Sequence, residues 1–302
     1  MKLGVAAIIV ILSTCPRPAE ACITLPPCVD LAPLGSSEAA VAELESASAS
    51  IAARAALTLA RSSAPTELRA LGRALDRDAT LKQIMSLEAG KRCAMPQILS
   101  ALAGNPNQEA RARFVALTIS PTWAEDPNRT DGADLTEVLL RATGAFRPPT
   151  PEILAMWKRL SLPNDGWVNV TVMALTENGS EAATKQFEAL LRNPKHEPNE
   201  RIGWLRSDYL AHRDNSRLLN MANRLLDSAL PTTLKAAIAD TTFDLHYENY
   251  TTCGPPPVPA FATFAPNARK TLRSIATKLR ARNPSPSLAQ AITSALAELL
   301  KN

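Results

Sequence analysis

The chain is poor in the residues that usually announce chemistry. Histidine occurs three times, at His196, His212 and His246, and no His-Glu-x-x-His places two of them on one helix face. Among 11 glycines there is no Gly-x-Ser-x-Gly elbow and no phosphate loop. None of the five cysteines belongs to a Cys-x-x-Cys or lies near a histidine, so no metal-site spacing is present. Aromatics make up 4% of the residues, few for a sugar cleft built from stacking platforms. Beyond the extreme N-terminus no run of some 18 apolar residues occurs, so no internal membrane span is expected. Simple enzyme classes, metal centres and a resident cofactor are accordingly not expected. What is plentiful is aliphatic side chain: 302 residues that are 46% hydrophobic and 21% charged suffice for a large core and exclude a wholly disordered chain.

The first 21 residues read as an export signal. Lys2 supplies a basic start, Leu3 to Leu12 an apolar stretch, and Ala19-Glu20-Ala21 the small residues a signal peptidase recognises. Cleavage there makes Cys22 the first mature residue, followed by an extended segment over 22–36. A lipoprotein signal ending at Cys15 is the alternative, since Leu12-Ser13-Thr14-Cys15 follows the apolar stretch, although Thr14 fits that pattern poorly. Both routes lead to a periplasmic or secreted protein with no transmembrane anchor once the signal is removed. Both leave Cys22, Cys28, Cys93 and Cys253, an even number in an oxidising compartment, and hence two disulfides. Sequence allows three pairings; Cys22 with Cys28 and Cys93 with Cys253 is the favoured one.

From Ser36 onward short amphipathic segments alternate with Pro, Asn and Gly. Apolar residues recur at three-and-four spacing at Val41, Leu44, Ile51 and Ala55; at Ile153, Leu154, Trp157 and Leu160; at Leu218, Leu219, Ala222, Leu225 and Leu226; and at Leu272, Ile275 and Leu279. Pro65, Pro151, Pro231 and Pro286 stand where first helical turns begin, a position that needs no N–H partner. Asp134 and Glu137 form a capping box ahead of Leu139. Only Trp167 to Val172 has a mildly strand-like composition, so the fold class is all-α. Asn105-Pro106 followed by Arg111 is echoed by Asn193-Pro194 followed by Arg201, at a distance of about two of the ~40–47-residue units of HEAT-type hairpins. With its apolar helix, Asn-Pro turn and early arginine, the chain resembles a divergent HEAT-type α-solenoid. The resemblance implies an α-solenoid or irregular helical-repeat array of antiparallel helix pairs over residues 37–302, binding protein on a curved surface, and it carries over no catalytic residue. A non-repetitive helical bundle is the alternative.

Two long loops interrupt the pattern, at 119–133 and 246–267. The first alternates Asp126, Asn128, Thr130 and Asp131, but Gly132 comes one place too late for a calcium loop and no glutamate follows at the twelfth position. The C-terminal third concentrates Trp204, Tyr209, Phe243, Tyr247, Tyr250, Phe261 and Phe264, with His212 and His246 among them. Such residues build binding hot spots, or else anchor the long loop on the last helices. From Asn249 to Ala297 there is no acid, while Arg269, Lys270, Arg273, Lys278, Arg280 and Arg282 run along one predicted helix: a solvated face, or one that attracts an acidic partner. His196, in a polar turn, is expected to be exposed. Four Asn-x-Ser/Thr triplets, at Asn128, Asn169, Asn178 and Asn249, matter only if the chain is glycosylated.

The reading that follows is an exported, non-enzymatic protein-binding protein, in its concrete form an envelope inhibitor or immunity protein. Its binding residues are expected at Trp204, Tyr209, His212, His246, Tyr247, Tyr250, Arg269 and Arg273. The alternatives are a polysaccharide-acting enzyme with a helical-toroid cleft at Tyr209, His212, Arg213, His246 and Tyr247, or a structural envelope protein. The partner is another protein, and nucleic acid is not expected.

Overall fold

Helix starts in this chain follow local chemistry closely. Ser36, Thr150 and Ser180 each accept a backbone N–H of the following turn through the side-chain oxygen, and Pro65, Pro151, Pro198, Pro266 and Pro286 occupy first helical positions. The computed structural model describes residues 32–76, 80, 83–84, 94–119, 139–163, 165–243 and 259–300. Among them every regular element is helical and no strand occurs. In chain order these are α1 (Ser37–Glu43), α2 (Ala49–Ala60), α3 (Pro65–Leu75), α4 (Met95–Gly104), α5 (Gln108–Ile119), a helical stretch at 139–145, α6 (Pro151–Leu160), α7 (Val168–Asn178), α8 (Glu181–Arg192), α9 (Pro198–Trp204), α10 (Ser216–Asp227), α11 (Thr232–Thr242), α12 (Pro266–Arg280) and α13 (Pro286–Leu300). The weakly strand-like Trp167 to Val172 stretch is helical from Val168, because Val168, Thr171, Val172 and Leu175 form a buried stripe at helical spacing. The single apolar run from Val41 to Ala55 divides into α1 and α2.

The helices pack as pairs in series. One layer holds α2, α4, residues 139–145, α7, α9 and α11; the other holds α3, α5, α6, α8, α10 and α12. Within the second layer α3 packs on α5, α5 on α6, α6 on α8, α8 on α10 and α10 on α12. In the first layer α2 packs on α4, and α7, α9 with its extension, and α11 follow one another. Short turns join the first-layer helices, up to α9 with its extension, to their second-layer partners, so these pairs are antiparallel; between α11 and α12 the chain instead runs through the second long loop. Second-layer helices start at Pro65, Gln108, Pro151, Glu181, Ser216 and Pro266: the first three are evenly spaced and the later ones are not. The core is a continuous apolar cluster running from Ala40 to Leu299 between the layers, and Trp157, Phe114, Phe146 and Phe187 are its largest members in the first two thirds. Phe114 stacks on Phe146 with centroids 5.0 Å apart, which ties α5 to the next pair. Trp157 is fully buried and its indole N–H donates to Thr143 Oγ1 at 2.8 Å.

Successive turns are joined by asparagine. Asn105 Nδ2 donates to the carbonyls of Ala60 (2.9 Å) and Ser62 (2.8 Å) at the end of the previous pair's first helix, while its Oδ1 accepts the Asn107 N–H. Asn178 does the same toward Gly144 (3.1 Å) and Phe146 (2.9 Å), with Oδ1 facing the Ser180 N–H. Asn215 donates to Gly179 O at 3.3 Å and caps α10 through Arg217 N–H at 2.9 Å. A primary amide satisfies two helix-end carbonyls and one turn N–H at once, which buried backbone groups require. Gly179 lies under this contact at φ 56, where a Cβ would sit 2.0 Å from Asn215 Nδ2, so a side chain there would strain the backbone and displace the Asn215 amide. Asn178, one of the glycosylation triplets, is 2% exposed and committed to these bonds, so it is no glycan acceptor in the folded chain.

The Asn193-Pro194 turn is a different joint. Asn105 connects a first-layer helix to its second-layer partner, whereas Asn193 connects second-layer α8 to first-layer α9. The local chemistry is nonetheless shared: Asn193 Oδ1 accepts Lys195 N–H, and Arg201 donates to Leu191 O much as Arg111 donates to Ala103 O. The two motifs are one turn used at opposite ends of a helix pair, and the equivalents of Asn105 are Asn178 and Asn215.

Candidate functional site

The aromatic residues singled out in the sequence are placed unevenly. Trp204 is 3% exposed, its indole N–H donating to Asn169 Oδ1 at 2.8 Å, and Tyr209 is fully buried with its hydroxyl 3.0 Å from Thr242 Oγ1. Both therefore serve the core and offer no face to a partner. Burial pushes the Tyr209 phenol up to about 12, too high for acid–base work near neutrality. Phe243, Phe261 and Phe264 are buried as well. His246, Tyr247, Tyr250 and the cysteines Cys22, Cys28, Cys93 and Cys253 lie outside the described residues, as do Asp134, Glu137 and the calcium-like run from Asp126 to Asp131.

His196 is 1% exposed, contrary to expectation. Its ring meets the edge of Trp204 at 5.1 Å, and Nδ1 faces Glu200 Oε2 at 3.2 Å. The turn is polar in sequence, but the i,i+4 glutamate and the tryptophan enclose the ring from α9. Arg213 is likewise buried, stacked 4.2 Å from the Phe261 ring centre and donating to Pro259 O at 3.0 Å. Arg269 is half-buried and donates to Phe264 O (2.6 Å) and Ala262 O (2.7 Å). Together these arginines hold down the end of the second long loop, so Arg269 is an internal clamp.

The rest of the basic run is largely used inside the molecule. Lys278 meets Asp227 at 2.5 Å, Arg282 meets the same carboxylate at 2.6 Å, and Arg280 donates to Thr293. Lys270 and Arg273 are exposed and remain as the outward charges of this run. An open groove of about 570 Å³ lies at the other end, between α2 and α4, lined by Arg61, Gln97, Ser100, Ala101, Gly104, Asn105 and Pro106; Arg61 is its one charged residue.

A more distinctive constellation lies on the first layer, around the joint between α7 and α9. Past Trp204 the helix loosens into a π-helix, Leu205–Tyr209, and such insertions turn side chains out of the regular stripe. Here Leu205 and Tyr209 point inward and Arg206, Ser207 and Asp208 form the partly exposed side. Asp208 is enclosed enough that burial raises its carboxyl to about 6; the Ser207 hydroxyl, its own backbone N–H and the field of Arg141 pull the other way. Glu177, on neighbouring α7, is also raised by burial against the opposing fields of Arg147 and Arg141. Its side chain covers Gly144, where a Cβ would stand 2.8 Å from Oε2. His212 is lowered by burial, against the attraction of Asp214 and with a further push from Arg147. Arg147 also donates to the Glu177 carbonyl.

Arg141, Arg147, Glu177, Asp208 and His212 thus form a ridge across three successive first-layer segments, in which half-buried Glu177, Asp208 and His212 lie beside the exposed arginines Arg141 and Arg147. Of these, only His212 was singled out in the sequence, together with the neighbouring Tyr209. No periodic signal marks the others, because the π-helix and the stacking of separate helices bring them together. Among the described residues no group of His, Cys, Asp and Glu is arranged to hold a metal ion, and no helix is long and apolar enough to cross a membrane. No protein-family model, curated protein or solved structure matches the chain.

Proposed function

We propose that this is an exported protein-binding helical array whose partner docks on the first-layer ridge around Arg141, Glu177, Asp208 and His212. The observation that carries the reading is that ridge: the carboxylates Glu177 and Asp208, already partly stripped of water, lose less on being covered than fully hydrated ones, and the exposed Arg141 and Arg147 beside them favour a partner of complementary charge. The helix-pair architecture supports it, since stacked pairs present equivalent positions along one extended face. Export rests on the Lys2, Leu3 to Leu12 and Ala19-Glu20-Ala21 sequence. An inhibitor or immunity role is the concrete form.

The test is binding of a captured and then purified partner to the full chain and to a chain carrying Arg141→Glu and Glu177→Arg, with Lys270→Glu as a control on another face. The expected result is a loss of at least tenfold in affinity for the ridge variant and little change for the control. Equal affinities would remove the ridge from the reading. N-terminal sequencing of protein recovered after export is expected to begin at Cys22; a chain beginning at Met1 inside the cell would overturn the export proposal.

A further inference from the structure

Asn178 is followed by glycine, and no other asparagine of the chain is. An asparagine so placed is chemically labile, because with no Cβ on the next residue the backbone nitrogen reaches the side-chain carbonyl carbon easily. The fold needs both residues all the same. Gly179 ends α7 at φ 56, where a Cβ would meet Asn215 Nδ2 at 2.0 Å, and Asn178 is the amide that joins this turn to Gly144 and Phe146.

The motions that cyclisation requires are blocked in the folded chain. The N–H of the attacking nitrogen, that of Gly179, is bonded to Leu175 O at 3.1 Å. Asn178 is the last residue of α7, and its helical backbone keeps that nitrogen turned away from the side chain. Both ends of the side-chain amide are engaged, Nδ2 by the carbonyls of Gly144 and Phe146 and Oδ1 by the Ser180 N–H at 3.3 Å, and the residue is 2% exposed. From the N-cap of α10, Asn215 adds a clasp by donating to Gly179 O at 3.3 Å.

We propose that Asn178-Gly179 is a self-modification site that the fold keeps closed, and that opening of the α7–α8 turn converts it irreversibly to a form unable to rebuild the joint. In the opened turn the Gly179 nitrogen bonds to Asn178 Cγ, the Cγ–Nδ2 bond breaks, and ammonia leaves with the former amide hydrogen of Gly179. Water then adds to one of the two carbonyls of the cyclic imide, leaving an aspartyl or isoaspartyl residue at position 178. The new carboxylate has no hydrogen to donate, so the carbonyls of Gly144 and Phe146 lose their donor and face a negative charge in a buried place. Glu177, whose side chain already covers Gly144, places a second carboxylate beside it. An isoaspartyl link also lengthens the backbone by one carbon where α7 ends. A reversible local opening thereby becomes a lasting loss of the native state. Arg147 donates to the Glu177 carbonyl across the same joint, so a chain modified here also loses the register of the ridge. That last consequence rests on the role proposed above, whereas the chemistry does not.

The site is tested on the full chain with no partner present, held at pH 8 and 37 °C in buffer alone and in guanidinium chloride, by mass spectrometry of the proteolytic fragment that spans position 178. In guanidinium this asparagine is expected to convert to the acid before any other in the chain. In buffer it is expected to convert at least about tenfold more slowly, since only the opened fraction reacts. A smaller ratio overturns the closure. Asn215→Ala removes the donor to Gly179 O and is expected to speed conversion in buffer by about threefold or more, with no change in guanidinium. An unchanged rate in buffer overturns the turn as the gate. Asn178→Asp is expected to lower Tm by about 5 °C or more, or to prevent folding, and a wild-type Tm overturns the lasting consequence. A failed partner search leaves these rates standing, and failure of the rates leaves the binding proposal standing, so the two are separately decidable.

Discussion

The two helix layers handle charge in opposite ways. In the second layer, neighbouring helices are joined at the surface by close ion pairs: Arg113 with Asp76 at 2.7 Å between α5 and the end of α3, Arg224 with Glu188 at 2.5 Å between α10 and α8, and Lys278 and Arg282 with Asp227 between α12 and α10. Asp227 remains exposed, and hydrogen bonding from Lys278 leads the effects that hold its carboxyl below the ordinary value. In the first layer, Asp208 and Glu177 are half-buried and raised. Two aspartates nineteen places apart in the chain thus titrate on opposite sides of their ordinary value, because one gains cationic donors without losing water and the other loses water faster than it gains donors. Surface pairing of the first kind contributes little and is screened by salt. Desolvated charge of the second kind costs stability, and natural chains keep such a cost where it serves a function.

The sharpest way to test the division is to attack the residues that look like surface aromatics in the sequence. Trp204→Ala and Tyr209→Ala are expected to lower the unfolding free energy by about 3–5 kcal/mol each, measured by urea denaturation, because both side chains are enclosed by α7, α9 and α11. A loss under about 1 kcal/mol would mean that they stand at a surface after all.

Next in size is Asp208→Asn. The folded carboxyl titrates near 6 and the unfolded one near its ordinary 3.8, so both forms are protonated at pH 3 and the native state pays nothing there. As the pH rises from about 4 to 6 the unfolded chain ionises first, and the native state is destabilised by an amount that becomes constant above about 6. Asp208→Asn is therefore expected to stabilise the protein at pH 7.5 by about 1–3 kcal/mol and to have little effect near pH 4. Denaturation curves at both pH values check the sign.

Asp227→Asn should behave in the reverse sense. Its lowered carboxyl contributes stability that is present above about pH 4 and is lost as the pH falls through the folded value. The substitution is expected to lower Tm slightly at neutral pH, by less in 1 M salt, and not at all in strong acid. A salt-independent loss would show that the pair is less exposed than its geometry implies. Smallest of all is Lys270→Glu with Arg273→Glu, which alters two exposed side chains and is expected to move stability by no more than about 0.5 kcal/mol.

Much of the architecture was legible because it rests on local rules. Leu218, Leu219, Ala222, Leu225 and Leu226 recur at helical spacing and are all buried, and Pro65, Pro151 and Pro286 begin helices where their missing N–H has no cost. The Asn-Pro-Arg echo was legible as chemistry but not as position. Its turn satisfies helix-end carbonyls equally well at either end of a helix pair, so the motif alone does not say which end it occupies. Asn178 and Asn215, the true counterparts of Asn105, lack the proline, and their role depends on carbonyls more than 30 residues away in the chain.

The site was scarcely legible. His212 is the one ridge residue that sequence picked out, and Trp204, Tyr209 and Arg269, chosen as contact residues, are taken up by the interior. An aromatic or basic side chain has the same letter whether it faces solvent or a neighbouring helix. Sequence by itself determined the helices, their caps and the apolar stripes that make them pack, since these depend on spacing within one turn or two. Only the tertiary structure decided which charges keep their water, because that depends on which helices stack, on a π-turn that redirects Asp208, and on the distance from each carboxylate to an arginine on another pair.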